Sequence, residues 1–228
     1  DLEAVPAFKA KDLGFDRSMI GSYGHDDRVC AYPSLIAQVE SDNLKKTGVC
    51  ILVDKEEIGS MGATGMESKF FENTVAEVLN AMGDYSELKL RRTLANSKML
   101  SSDVSSSFDP NYPGFFEKKN TAFVGKGVVF NKFTGARGKS GSSEAPAEFI
   151  AELREVLDAE EISYQLAELG KVDIGGGGTI AYIMANYGMK VIDCGVPVLN
   201  MHAPEEIISK VDVYEAYRCY KSFLASIN

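Results

Sequence analysis

The chain has 228 residues, 45% of them hydrophobic, which is enough to bury a full core as one large or two small domains. A net charge of −9 and a pI near 4.9 argue against nucleic acid or an anionic membrane as the main partner, because both select basic surfaces. No apolar stretch is long enough to span a bilayer, and no charged-then-apolar signal segment opens the chain.

In chain order, the Gly-rich turn GSYGHDDR leads into an apolar helix beginning near Arg28, and Asp26 and Asp27, taken alone, read as helix-capping acids. The run Val49, Cys50, Ile51, Leu52, Val53 predicts a short strand buried on both faces, of the kind found inside a largely parallel sheet. Glu56 and Glu57 stand just beyond it, where open α/β sheets bind their ligands. Side chains of neighbouring residues on extended backbone point opposite ways, so one carboxylate can hold a metal while the other faces substrate as a base. As an isolated pair they read first as solvated acids capping a helix, and only the other acids and the histidine at matching places favour the metal-and-base reading. Gly59 and Gly62 then turn the chain into a helical pattern carrying Phe70, Phe71, Val75, Val78, Leu79 and Met82.

Asp103 follows a strand-like run and opens a Ser-, Asp- and Pro-rich loop from Ser101 to Gly114, where an Asx turn is the plain alternative. Thr121 to Phe133 predicts one or two strands, Thr134 to Ser143 a loop, and Ala145 to Leu157 a helix. His202 ends an apolar segment and enters a turn at Pro204, and a last helix is expected from Asp212 to Ile227 behind an Asp N-cap. The alternation of strand-like and helix-like segments predicts one layered α/β domain, with no internal repeat and no marked boundary. Cys30, Cys50, Cys194 and Cys219 are isolated from one another, the pattern of reduced, buried thiols in a cytoplasmic protein.

Each acidic segment is weak alone. Together, oxygen-rich acids and a histidine at strand-to-loop boundaries form the ligand inventory of a hydrolytic zinc or cobalt site. The ordered motifs GHDDR, DKEEIGS, SSDVSSSFDPNY, GGGGTI and NMHAPEE resemble those of the aspartyl aminopeptidase and vacuolar aminopeptidase I family of metallopeptidases. The resemblance implies a three-layer α/β/α domain with a mixed, largely parallel central sheet and two co-catalytic divalent ions, zinc with cobalt or manganese as alternatives. It further implies peptide substrates and a homo-oligomer, a tetrahedral dodecamer. By motif, Asp26 would bridge both ions, Glu57 and His202 would complete one site, Asp103 would bind the other, and Glu56 would be the general base. The Asp26-Asp27 peptide bond is expected to be cis, with Asp27 hydrogen-bonded near the site rather than ligating.

Two departures shape these expectations. The family's remaining ligand is an upstream histidine, and only His25 and His202 occur here. Residues 1–228 therefore read as the C-terminal part of the catalytic domain, with the upstream segment and the dimerisation domain outside them. Ser106 and Asp109 occupy places where aspartyl-specific members carry histidines, which opens the preference to acidic or neutral N-terminal residues. Lys132, Arg137 and Lys139 are candidate partners for an acidic side chain, and Gly176 and Gly177 would let backbone pass close to a peptide. Two other functions are consistent with the sequence: a nucleotide- or phosphate-binding α/β protein using the Gly175 to Gly178 turn, and a catalytically inactive oligomeric scaffold.

Overall fold

The computed structural model describes residues 2–136 and 141–227. In chain order the elements are β1 (Lys11–Leu13), β2 (Met19–Ser22), α1 (His25–Val39), α2 (Phe70–Ala81), α3 (Glu87–Ala95), β3 (Lys98–Ser102) and β4 (Ser105–Ser106). There follow β5 (Val128–Asn131), β6 (Gly135–Ala136), α4 (Ala147–Ala159), β7 (Tyr164–Leu166), β8 (Gly176–Gly177), α5 (Ala181–Ala185), β9 (Lys190–Gly195), β10 (Pro197–Leu199), β11 (Glu206–Ser209) and α6 (Lys210–Ser226). Among the described residues no helix is long and apolar enough to cross a membrane.

The strand β9 explains the layering. Its side chains alternate, so Ile192 and Cys194 enter one core with Phe149, Leu153 and Tyr220, while Val191 enters another with Leu90, Leu94 and Met184. Helices α1, α4 and α6 thus cover one face of the sheet and α2, α3 and α5 serve the other, which is the expected α/β/α arrangement. Pairing is parallel in β3–β9, β5–β7 and β4–β10, and antiparallel in β1–β2, β2–β11, β10–β11 and β5–β9. The sheet is therefore mixed, and parallel pairing does not predominate among the described strands. Short links such as the one between β10 and β11 allow only a reversal of direction.

Between β9 and β10 the ladder bends but continues, with the amides of Asp103, Ser105 and Ser107 each donating across to Cys194, Val196 and Val198 at 2.9 Å. Gly195 permits the bend because a Cβ there would lie 1.7 Å from the Asp103 carbonyl oxygen. Gly195→Ala should cost about 3 kcal/mol of stability, read as a lower urea midpoint, since backbone rather than a yielding side chain stands in the way.

Three sequence expectations are corrected. Val49 to Val53 forms no strand: among the described residues no neighbour pairs with its backbone, and Val49 and Leu52 are more than half exposed. Ser101 and Ser102 belong to β3 rather than to a loop, whereas Thr121 to Phe133 does yield a strand, the fully buried β5, with isolated bridges at Ala122 and Phe133. Asp212 does not cap α6, which begins two residues earlier. Its wholly buried carboxylate instead accepts from the amides of Gly125 and Gly127 at 2.6 and 2.7 Å, so it fixes a loop.

Candidate metal centre

The site forms where β3, α1, the turn after Val53 and the β10–β11 turn converge. Gly24, at φ 70°, turns the chain into α1, and Asp26 and Asp27 follow with non-helical backbone and a cis peptide bond between them. Lys55, at φ 66°, starts the short 3-10 turn Glu56–Ile58 that carries both glutamates. His202 itself has φ 65°, a left-handed conformation that few residues adopt outside turns, and it aims the ring back at Asp26.

The ligand atoms fall into two clusters. His202 Nε2 lies 3.0 Å from Asp26 Oδ2 and 3.3 Å from Glu57 Oε1. Asp26 also joins Asp27 and Asp103, and within each trio the candidate ligand atoms are all within 4.8 Å of one another. Zinc bonds of about 2.1 Å in a tetrahedron place ligand atoms roughly 3.4 Å apart, so the first trio fits a divalent ion with little movement. The second is a purely carboxylate set, as hard cations prefer and as zinc tolerates. Asp27, expected to stay outside the ligand set, has its Oδ1 buried with no hydrogen-bond partner.

This crowding of acids raises proton affinity. Asp26 is pushed up to about 6, first by burial and then by the charge of Glu57, with His202 opposing. Burial, followed by neighbouring carboxylates, also raises Asp103 well above the usual range and raises Glu56. A carboxyl whose folded pKa exceeds its ordinary 3.8 binds more protons when folded across the window from there to about 6. Stability of the metal-free chain should consequently fall as pH rises through that window. Melting temperatures at pH 5 and 7.5 check this: the metal-free value should drop at the higher pH, and zinc should restore more there because it replaces the protons. A pH-independent melting temperature would contradict it.

Glu206 is the residue that the sequence did not reveal. It is buried in β11, and its two carboxylate oxygens accept from the amides of Asp26 and His202 at 2.9 and 2.8 Å, tying together the two segments that carry ligands. Its only signal is a second acid after the histidine in NMHAPEE, adjacent to an apolar strand pattern. Buried Asp193 acts similarly on the other side, accepting from the Thr179 hydroxyl at 2.6 Å and holding Thr179 where it lines a small cavity with Glu56 and Gly178.

Other expected residues are not brought to the centre. Lys132 Nζ pairs with Glu144 at 2.7 Å and lies 4.0 Å above the Phe133 ring. Arg137 and Lys139 lie outside the described residues. Gly176 and Gly177 pair as β8 with β6, and Gly178 rather than either of them lines the cavity beside Glu56. The five-residue α5 after the glycine run offers a poor phosphate cradle, which removes the physical basis of the nucleotide-binding alternative. His25 is buried with Nε2 on the Ile20 carbonyl at 3.2 Å, so it is committed elsewhere.

A layered α/β domain that gathers aspartates, a glutamate and a histidine at the carboxyl ends of its strands is of the zinc-metallopeptidase class. The particular family is shown by comparison: the model described as aminopeptidase I zinc metalloprotease (M18) matches residues 1–224, and the chain belongs to that family. A probable M18 family aminopeptidase 1 from Clostridium acetobutylicum is 65% identical over 224 residues, covering 98% of this chain and 48% of that protein. The crystal structure of the M18 aminopeptidase from Thermotoga maritima superposes with a TM-score of 0.94 at 42% identity, covering 98% of this chain and 50% of that one. The aspartyl aminopeptidase 1 of Schizosaccharomyces pombe is 29% identical over 85% of this chain. The chain spans about half the length of the curated relatives it matches.

Proposed function

We propose that this chain carries the metal centre of an aminopeptidase that removes single N-terminal residues, acidic or neutral, from peptides. The observation that carries the reading is the sharing of Asp26 between two ligand clusters a few ångströms apart. Asp26, Glu57 and His202 would hold one divalent ion, and Asp26, Asp103 and Asp27 would contribute to a second. Zinc is the expected metal, as the family description states. When bound, such ions polarise the scissile carbonyl and lower the pKa of the attacking water.

The protein's own groups do the rest. Glu56 sits beside the clusters without belonging to either, and its raised pKa suits a base that takes the water proton and passes it to the leaving amine. Glu206 holds the backbones of Asp26 and His202 in register. Thr179 and Gly178 border the space next to Glu56 where the peptide's first residue would lie. Lys132 is engaged by Glu144, so it does not by itself favour an acidic over a neutral first residue.

Assembly into a homo-oligomer belongs to the proposal. The S. cerevisiae mApe1 structure, 21% identical, is a dodecamer, and a tetrahedral dodecamer is the expected form here.

The test is release of the first residue from unblocked peptides headed by Asp, Leu or Ala, with N-acetylated controls. The zinc-loaded chain would be assayed alone and together with the half of the C. acetobutylicum protein that the match leaves out. Release from unblocked peptides only, abolished by EDTA, is expected. No release in either preparation, with bound zinc confirmed, would overturn the reading and favour an inactive scaffold.

A further inference from the structure

Asp193 is a charged residue at a position where packing alone would favour an apolar one. It stands on β9 two residues after Val191, so alternation sends its side chain toward the face where Val191 enters the core with Leu90, Leu94 and Met184, and it is 3% exposed. Burial raises its pKa, and hydrogen bonds from Thr179 and then Thr134 oppose that rise. A valine would fill the position without the cost of burying a carboxylate.

What the carboxylate holds is the segment that follows the glycine run. Asp193 Oδ1 accepts from the Thr179 amide at 3.2 Å and from the Thr179 hydroxyl at 2.6 Å, and Oδ2 accepts from the Thr134 hydroxyl at 3.4 Å. The Thr179 hydroxyl in turn accepts from the Ala181 amide at 3.2 Å and is hydrogen-bonded to the hydroxyl of Ser101, the residue opposite Asp193 in the β3–β9 pair and two positions before Asp103. Thr179 is thus fixed to the strand that leads to a candidate ligand. Its neighbour Gly178 is packed so closely that a Cβ there would lie 3.1 Å from the Gly141 carbonyl oxygen. Together with Glu56, Gly59 and Ser60, these two residues line a cavity of about 120 Å³. The Ser60 amide donates to the Lys55 carbonyl at 2.7 Å, which ties that side of the cavity to the turn carrying Glu56. The bonds to Asp193 therefore set how far Gly178 and Thr179 stand from Glu56.

We infer that Asp193 and Thr179 are positioning residues of the proposed reaction: their hydrogen bonds hold the backbone of Gly178 and Thr179 as a fixed border against which the first residue of a peptide rests beside Glu56. The inference rests on the aminopeptidase reading and deepens it, since it assigns what orients the substrate rather than what activates the water. Both side chains act at one remove from the chemistry, because the Asp193 carboxylate is buried and the Thr179 hydroxyl is committed to Asp193, Ser101 and Ala181. A border ordered in advance spares the ordering that binding would otherwise require, so its loss should fall on substrate binding.

Thr179→Val tests it, because it nearly keeps the shape and removes the hydroxyl. In the zinc-loaded protein this change should raise KM for Leu- and Ala-headed peptides about tenfold, as expected for losing one hydrogen bond to a charged group, with kcat and zinc affinity within about twofold of the parent. Leucine itself, titrated by calorimetry, should bind more weakly by a similar factor, and Thr179→Ser, which retains the hydroxyl, should restore both values. A purely structural role would lower the amount of folded protein, which reduces the apparent kcat and leaves KM unchanged. That result would overturn the inference, as would a Thr179→Ser variant no better than Thr179→Val. Gly178→Ala moves the border without removing any bond to Asp193, and KM should rise there too. If Thr179→Val melts below the assay temperature, Gly178→Ala decides: a raised KM supports the inference and an unchanged one overturns it. A parent that releases no residue from any peptide would sink the aminopeptidase reading and this inference with it, whereas an active parent whose variants keep its KM sinks the inference alone.

Discussion

Glu56→Gln is expected to lower aminopeptidase turnover by about 10²- to 10⁴-fold, the range that a positioned general base contributes, while leaving zinc affinity and melting temperature nearly unchanged. The substitution removes the proton acceptor but hardly any volume, and Glu56 is a member of neither ligand cluster. Its effect should fall on kcat more than on KM, because proton transfer matters in the transition state and not in substrate binding. The companion change Glu57→Gln should do the reverse, weakening zinc binding and recovering activity in excess metal. Kinetics and calorimetric titration of the two variants side by side make the distinction. If both behave alike, base and ligand have been assigned incorrectly.

Asp26→Asn should have two effects of opposite sign. Asp26 belongs to both clusters, so loss of its anionic oxygen should weaken metal binding at both, by at least about 100-fold for the tighter ion. The same carboxyl is buried beside other acids and is pushed up to about 6, so at neutral pH its ionised form opposes folding in the absence of metal. The metal-free variant should therefore melt higher than the metal-free parent at pH 7.5, and lower than the parent once zinc is added. Calorimetry and thermal melts at that pH check both signs. A variant destabilised in both conditions would mean that Asp26 serves the fold rather than the metal.

Much of this centre was legible because its chemistry is carried by short motifs at the ends of apolar runs. The fold brings Asp26, Glu57 and His202 within a few ångströms of one another, and Asp103 lies next to Asp26. What the sequence concealed depends on three-dimensional proximity. Glu206 looks like one more acid in a polar turn, and only the fold places its two oxygens on the amides of residues 180 and 4 positions away. Asp27 reads as a spare acid, and only burial beside Asp103 makes its carboxylate costly. Asp212 carries the signature of a helix cap yet serves Gly125 and Gly127, because a buried carboxylate takes whichever amides the packing presents. The helices were the most legible elements: Phe70–Ala81 and Ala147–Ala159 lie within two residues of their apolar periodicity. Val49 to Val53 has the composition of a strand but no ladder, since composition records what a segment is suited to bury and pairing requires a neighbour.

The central claim is that Asp26, Glu57 and His202 hold a catalytic divalent ion. Anomalous diffraction at the zinc edge from zinc-loaded crystals tests it most directly. The expected result is a peak about 2.0–2.2 Å from Asp26 Oδ2, Glu57 Oε1 and His202 Nε2, lost in crystals of His202→Ala. Zinc bound elsewhere, or a peak at this place that survives His202→Ala with its position unchanged, would contradict the assignment.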